Sequence, residues 1–507
     1  MASISTLPSH PKLERRELMD SMVRVREELQ KVRANPDDPD NIHDLRVAMR
    51  RCRSVALVFE EVDPDGAWEE MRKTAKKLFR TLGASRDDYM MEEWIKKLSP
   101  ADDPVRLSIH GAFETKAAKH RDAVLRAVNK FDDKTWARLQ RHLQRRVRFI
   151  PAGGLAAECL AWERFEEIKL LHAHALRSAK PKPWHAARIG LKRLRYTVES
   201  LLPEHHAAWN ENLKRLQDLL GDIHDLDVLA ERVKAEARVA GPARKAWKEN
   251  LLRERNKRVQ TYRQLTLGKA SIWNKWRHAL PHGERLEQAS FARLKATARA
   301  AHAKPRKAGR VARIALRIFD LLRRGKAGPL FAEASMQRNL RAACLLQAVG
   351  QQHKHRRKEA CKFLGGINAP PRWTREDWQL VGLAVRFHRG AEPAADDSKF
   401  GKLATAGQEK VRALAGVLRL ARVLYKCDIT TATGLKLENA SEAITLFVPN
   451  LADNLEMAAK IAAGKHLLET VLGKPLVVRT AQKAAKVVEL AEVQPQPVLY
   501  AVASASD

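Results

Sequence analysis

Residues 42–53 read IHDLRVAMRRCR and residues 184–196 read WHAARIGLKRLRY, two stretches that share one pattern of basic residues. The pattern, His-x-x-Arg-x-x-x-(Arg/Lys)-Arg-x-Arg, comprises His43, Arg46, Arg50, Arg51 and Arg53 in the first copy and His185, Arg188, Lys192, Arg193 and Arg195 in the second. A second similar pair follows, KKLFRTLGASRD at 76–87 and KRLQDLLGDIHD at 214–225. Because the two elements recur in the same order, the sequence predicts a duplicated helical hairpin.

Each repeated stretch predicts a row of cations along one helix face. Residues at i, i+3, i+7 and i+10 share a face, and the row extends roughly 15 Å along the axis. Neighbouring like charges on a helix are unfavourable, and the rows contain no carboxylate beyond Asp44. Phosphate groups satisfy guanidinium groups through bidentate, charge-assisted hydrogen bonds. One row alone is typical of a solvated basic face, whereas two rows in matching register favour an anion-binding site.

The second repeated element adds further basic residues and two glycines. We expect it to supply flanking anion contacts from Lys76, Lys77, Lys214 and Arg215. Gly83 and Gly221 are placed where a C-cap would end the second helix of each hairpin. Asp87 and Asp225 would then cap the next helix or orient a neighbouring Arg or His.

The composition favours a polyanionic partner without identifying it. Lys and Arg number 94 against 60 Asp and Glu, a formal charge of +34, and such an excess causes self-repulsion that a polyanion relieves. DNA, RNA, an anionic membrane surface and polyphosphate all fit this charge. Five scattered cysteines without a C-x-x-C pair indicate neither a disulfide framework nor a zinc site, so we expect a reducing compartment. The start of the chain has no signal-peptide core and no stretch is long enough to span a bilayer, which predicts a cytoplasmic protein.

Helical periodicity dominates the chain and predicts a mainly α fold. Apolar residues recur at 3–4 spacing in 15–34, 68–82 and 310–322. Short β-like runs occur only at 443–450 and 474–480, with a helical 453–472 between them. The expected divisions are a domain at 15–285 with halves at about 15–150 and 155–285, a basic connector at 286–310, a helical domain at 311–435, a small α/β end at 436–490 and a tail at 491–507.

The paired stretches, each followed by a Leu-Gly-x-x-(Arg/His)-Asp segment, resemble the CHAD domain, the conserved histidine α-helical domain, over roughly 15–285. The resemblance implies two helical bundles related by a pseudo-twofold axis around a basic groove that binds inorganic polyphosphate. It also implies association with cytoplasmic polyphosphate granules and no catalytic activity. Arg86, Tyr196 and His224 join the expected binding residues, with His224 where the first half has Arg86 and Lys192 where it has Arg50.

Residues 290–480 resemble the C-terminal helical HD-type domain of the exopolyphosphatase/guanosine pentaphosphatase family, through runs such as RVARIALRIFDLL and LAGVLRLARVLYKCD. Its metal-ligand pattern is missing: Gln347-Ala348 replaces a His-Asp pair, Arg422 replaces an Asp, and Gly309-Arg310 stands near the first His position. An arginine repels a cation, so we expect a degenerate domain without metal or cofactor. A secondary anion site is one interpretation of its basic residues, and residual surface polarity is the other; these residues are His353, His355, His388, Arg389 and Arg422.

Three functions remain to be compared. The first is non-catalytic polyphosphate binding, with polyphosphate-metabolising enzymes or granule proteins as further partners. The second is RNA or DNA binding, against which stands the low aromatic content of 6%, since single-stranded bases are held by aromatic stacking. The third is a polyphosphate or nucleotide phosphohydrolase, which the missing metal ligands disfavour.

Overall fold

The computed structural model describes residues 11–35, 38–150, 153–235, 241–301, 305–349, 363–451 and 455–481, with side chains described in these ranges except at 11–18, 39, 84–89, 116–118, 305 and 306. The chain divides into two compact units. The first consists of Met1–Ala308 and Leu345–Arg386, and the second of Gly309–Cys344 and Phe387–Asp507. As predicted, the fold is mainly helical.

The first unit consists largely of long helices in chain order. They are α1 (Pro11–Ala34), α2 (Pro39–Phe59), α3 (Ala67–Leu98), α4 (Pro104–Asn129), α5 (Asp133–Arg146), α6 (Gly154–Leu176), α7 (Pro181–Leu201), α8 (Pro203–Ala235), α9 (Gly241–Thr266), α10 (Ile272–Ala279) and α11 (Gly283–Ala300). A 3₁₀ turn, Val147–Phe149, follows α5. The helices α12 (Pro305–Arg324), α13 (Ala334–Leu346), α14 (Arg375–Phe387), α15 (Thr405–Lys426) and α16 (Leu455–Leu472) follow along the chain.

The predicted duplication is confirmed by helix lengths and contacts. Helices α1 to α4 contain 24, 21, 32 and 26 residues, and α6 to α9 contain 23, 21, 33 and 26. Between the halves, α2 packs on α7, α3 on α8 and α4 on α9, so each of these three helices contacts its equivalent in the other half. Pairing of equivalent elements is what a twofold relation between two copies produces.

Local sequence signals explain where these helices begin and what they bury. The Asp103 carboxylate accepts hydrogen bonds from the backbone N–H groups of Val105 and Arg106 at the start of α4, and Asp132 accepts one from Thr135 at the start of α5. Trp68, Trp136, Phe165, Tyr262 and Trp276 are among the fully buried core side chains of the unit. Aromatic residues of this size contribute much of the apolar area removed from water.

The prediction that Gly83 and Gly221 end helices is wrong. Both lie inside α3 and α8, which continue for more than ten residues beyond them, and neither has a positive φ. Buried residues continue along the same helices on the far side of each glycine, including Trp94 in α3 and Leu226 in α8. Burial of that apolar face offsets the roughly 1 kcal/mol cost of glycine in a helix. Asp225 is therefore in mid-helix and caps nothing, whereas the side chain of Asp87 lies outside the described residues.

Residues 286–300, the first part of the expected connector, lie in α11. Leu286, Phe291 and Leu294 are buried there, and α11 packs on α6. Lys295 and Arg299 are exposed, whereas Arg293 is buried and forms an ion pair with Glu163, so a packed helix occupies the position expected for a linker.

The second unit combines helices with a small mixed sheet. Strand β1 (Lys436–Asn439) pairs antiparallel with β2 (Ile444–Pro449), and β2 pairs parallel with β3 (Leu476–Ala481). Helix α16 connects β2 to β3 and packs on α15, where a Cβ on Gly416 would lie 2.9 Å from the Leu468 amide nitrogen. The two predicted strands and the intervening helix are confirmed, whereas β1, with the polar sequence KLEN, carries no strand signal. Among the described residues, none of the helices is long and apolar enough to cross a membrane.

Candidate functional site

The two cationic rows lie on α2 and α7, the helices that pack together between the repeats. Leu45 and Met49 of α2 and Leu191 and Leu194 of α7 are buried in the core. At the 3.6-residue period of a helix, burial of these positions leaves the basic positions on the remaining faces. The sequence thus positions both rows by the same amphipathic pattern.

Lys192 shows that the rows converge. Burial, together with the positive charges of Arg188, Arg50 and Arg46, lowers the pKa of its ammonium group to about 8, and the charge of Asp225 opposes this shift. Arg188 belongs to the same row, but Arg46 and Arg50 belong to the row of the other repeat. The cations of both repeats are therefore close enough to destabilise one another's charge. Among the described residues, Lys192, Arg50 and Arg188 form no ion pair with a carboxylate.

A histidine pair lies beside this cluster. The Nδ1 atoms of His185 and His224 are 3.3 Å apart, and their ring centroids are 4.6 Å apart. Burial, together with the charges of Arg188, His185 and Lys192, lowers the pKa of His224 to about 4. Burial and the positive charges of Arg188 and Lys192 also lower the pKa of His185. Burial and the neighbouring positive charges thus disfavour protonation of both imidazoles. His43 is exposed on α2, and the side chain of Arg86 lies outside the described residues.

Two repeat-equivalent residues support the last arginine of each row. The Arg53 guanidinium lies 4.3 Å from the ring centroid of Phe79, and the Arg195 Nη1 donates to Gln217 Oε1 at 3.0 Å. Phe79 follows Lys76 by three residues, as Gln217 follows Lys214. The aligned register of 76–87 and 214–225 was therefore a signal for these two supporting residues, which the sequence interpretation missed.

A cavity of about 260 Å³ lies between α2 and α7. Its lining includes the predicted residues Arg50, Arg51, Lys192, Arg195 and Tyr196. It also includes residues that the sequence interpretation did not select, namely Val47, Ser54, Val55, Phe59, Glu199, Ser200 and Gln217. Cations from both repeats thus meet in one concave space.

Some predicted site residues lie elsewhere. Arg193 does not line the cavity, and its Nη1 donates to Glu167 of α6 at 2.6 Å. Four flanking residues are exposed on α3 and α8 and, among the described residues, form no ion pair: Lys76, Lys77, Lys214 and Arg215.

In the second unit, His388 is buried and accepts a hydrogen bond from Arg389 Nε at 2.8 Å, and Arg422 lies on α15. His353 and His355 lie outside the described residues. The secondary anion site stays a prediction. In the part of the chain that the structure describes, no group of three or more His, Cys, Asp or Glu side chains is arranged to hold a metal ion.

A duplicated helical bundle whose two central helices carry converging basic rows defines the class of this protein. Residues 20–234 match the family model of the CHAD domain, so this part of the chain is a CHAD domain. A crystal structure of the CHAD domain from the plant Ricinus communis is similar at 19% identity and a TM-score of 0.40, over 52% of this chain and 93% of that one. That similarity is too low to support an argument of its own. No curated protein matches the chain.

Proposed function

We propose that the protein binds inorganic polyphosphate along the groove between α2 and α7. The observation that carries the proposal is the convergence of both cationic rows on Lys192, whose charge is destabilised by arginines of either repeat. A site that disfavours its own positive charge gains free energy when an anion enters. Two rows of cations, each roughly 15 Å long, match a ligand with consecutive phosphate groups better than a single phosphate ion.

The proposed role is binding without catalysis, at cytoplasmic polyphosphate granules. Support comes from the groove lining, where the guanidinium groups of Arg50, Arg51 and Arg195 and the ammonium group of Lys192 can hold an anion by charge-assisted hydrogen bonds. Release of inorganic phosphate from polyphosphate by the purified chain, with Mg²⁺ or Mn²⁺ present, would overturn this part of the proposal. Binding of polyphosphate-metabolising enzymes or granule proteins remains part of the same hypothesis.

The matched family model ends at residue 234. For residues 290–480 we propose a degenerate HD-like domain, on the basis of the sequence runs that resemble the HD-type family. The arginine at position 422, on α15, supports loss of a metal site, since a cationic side chain in a ligand position repels the metal. Retention of a stoichiometric divalent metal by the purified protein would contradict this hypothesis.

The test is length-resolved binding of polyphosphate to the full chain, measured by calorimetry at several salt concentrations. The affinity should rise with chain length and fall steeply with salt, because binding releases counterions from the polymer. The double variant Arg46→Ala/Arg188→Ala removes one equivalent arginine from each row and should bind at least about ten-fold more weakly, since each charged contact contributes about 1–3 kcal/mol.

A matched control removes the same charge elsewhere. Arg141 and Arg145 are exposed on α5 and, among the described residues, form no ion pair. The variant Arg141→Ala/Arg145→Ala should retain affinity within about two-fold, because neither arginine lines the groove and exposed charges outside a binding site are strongly screened at physiological salt. Equal losses in both variants would mean that total charge, and not the groove, governs binding. Stronger displacement of polyphosphate by RNA than of RNA by polyphosphate would instead favour a nucleic-acid ligand.

A further inference from the structure

The cavity between α2 and α7 changes in character along its length. On α7, Lys192, Tyr196 and Glu199 have the spacing i, i+4 and i+7, and all three line the cavity. At 1.5 Å per residue, Glu199 lies about 10 Å along the axis from Lys192. The cavity therefore has a cationic end, formed by Arg50 and Lys192, and a second end of different composition.

The second end is unsuited to a continued row of phosphates. Glu199 contributes a carboxylate there, and it forms an ion pair with Arg195, whose Nε lies 3.8 Å away, so the positive charge of that arginine is offset at this end. Ser200 and Gln217 add hydrogen-bonding groups, and the ring of Tyr196 adds apolar surface. A carboxylate repels a phosphate oxygen but accepts hydrogen bonds from hydroxyl and amino groups. This end consequently favours a neutral moiety with an apolar face and several donors.

The size of the cavity fits such a moiety. A volume of 260 Å³ corresponds to about nine water molecules at roughly 30 Å³ each. A single phosphate group, with one phosphorus and four oxygen atoms, leaves most of that space to water. Small-molecule sites usually combine apolar walls with a few convergent polar groups, which is the combination found at the Glu199 end.

We propose that this cavity binds a nucleoside triphosphate, with its phosphates at the end of Arg50 and Lys192 and its nucleoside at the end of Glu199. The ribose hydroxyls and the amino group of a base donate the hydrogen bonds that the carboxylate accepts, and the ring of Tyr196 offers aromatic surface to the base. The site shares its cationic end with the proposed polyphosphate groove, so a bound nucleotide competes with the polymer. Only the nucleotide, however, depends on the residues at the Glu199 end.

The experiment compares ATP and GTP with inorganic tripolyphosphate, using the full chain and isothermal titration calorimetry. Tripolyphosphate has the same phosphate chain and lacks only the nucleoside. At least one nucleotide should bind about ten-fold more tightly than tripolyphosphate, a difference of about 1.4 kcal/mol. Tripolyphosphate binding as tightly as both nucleotides would overturn the proposal, because the cavity would then recognise charge alone.

The variant Glu199→Met separates the two ends of the cavity. It should weaken nucleotide binding by about five-fold or more through loss of an acceptor, and leave tripolyphosphate and long-chain polyphosphate unchanged or tighter through loss of a negative charge. Glu231→Met, at an exposed carboxylate on α8, is the matched control and should leave nucleotide affinity unchanged. A change of the same sign for all three ligands in Glu199→Met overturns the inference. Absence of long-chain polyphosphate binding in the wild type would refute the proposed function separately.

Discussion

Replacement of Lys192 by methionine should strengthen the fold and weaken polyphosphate binding. The pKa of Lys192 falls from 10.5 to about 8 in the folded protein. Because the folded pKa lies below the unfolded one, the protonated form destabilises the folded state, and this penalty is fully present below pH 8 and relieved as pH rises from about 8 towards 10.5. The fall corresponds to about 3 kcal/mol, and partial solvent exposure reduces it to about 1–2 kcal/mol.

Lys192→Met should therefore raise the free energy of unfolding at pH 7 by about 1–2 kcal/mol in urea titrations. The same change removes a cation from the point where both rows meet. Polyphosphate affinity, measured by calorimetry, should fall about five-fold to a hundred-fold, the equivalent of roughly 1–3 kcal/mol. Opposite effects on stability and binding are expected at a binding site whose uncompensated charge destabilises the free protein.

The adjacent residue provides the control. Arg193→Met removes an equal charge from the same helix but breaks the 2.6 Å hydrogen bond to Glu167, which retains Arg164 as a partner. Stability should fall by about 0.5–1.5 kcal/mol, with affinity unchanged within about two-fold. If Lys192→Met lowers stability, or if both variants lose affinity equally, the convergence of cations on Lys192 does not have the energetic consequence argued above.

Further predictions concern pH and packing. Polyphosphate affinity should fall about ten-fold between pH 7 and 9, because Lys192 of the free protein loses a proton that a bound anion would stabilise. The variant Lys192→Arg should flatten this pH profile, because arginine stays protonated. A wild-type profile that is itself flat over this range would contradict the pKa assigned to Lys192. Affinity should also rise as pH falls from 7 to 5, because the pKa of His224 is about 4 in the free protein and an adjacent phosphate raises it. Calorimetry in buffers of different ionisation enthalpy should detect proton uptake on binding near pH 6. This proton uptake should disappear in His224→Gln. Gly416→Ala should destabilise the second unit by about 1–3 kcal/mol in thermal unfolding, since its Cβ would lie 2.9 Å from the Leu468 amide nitrogen. Gly309→Ala, at a helical position with open space around it, should be neutral or stabilising by up to about 1 kcal/mol. Equal melting temperatures for the two variants would refute the close packing at Gly416.

Much of the candidate site was predictable because it depends on local periodicity. The repeated pattern placed Arg46 and Arg50 on one helix and Arg188 and Lys192 on another, and the structure brings these two helices together. Arg193 shares the pattern but pairs with Glu167, a residue of α6 that no spacing within α7 reveals. The C-cap prediction for Gly83 and Gly221 failed for a related reason, since burial of the continuing helix outweighs the local preference of glycine.

The sequence by itself determined the helices, their basic rows and the duplication, because amphipathic spacing and matched register are properties of the chain alone. Only the tertiary structure decided that equivalent helices of the two repeats face one another, so that Arg46 and Arg50 depress the pKa of Lys192. It also decided that Glu199 of α7 lines one cavity with Arg50 of α2. The physical reason is that charge–charge energies and burial depend on distances between residues far apart in sequence, and these distances are fixed only when the bundles pack.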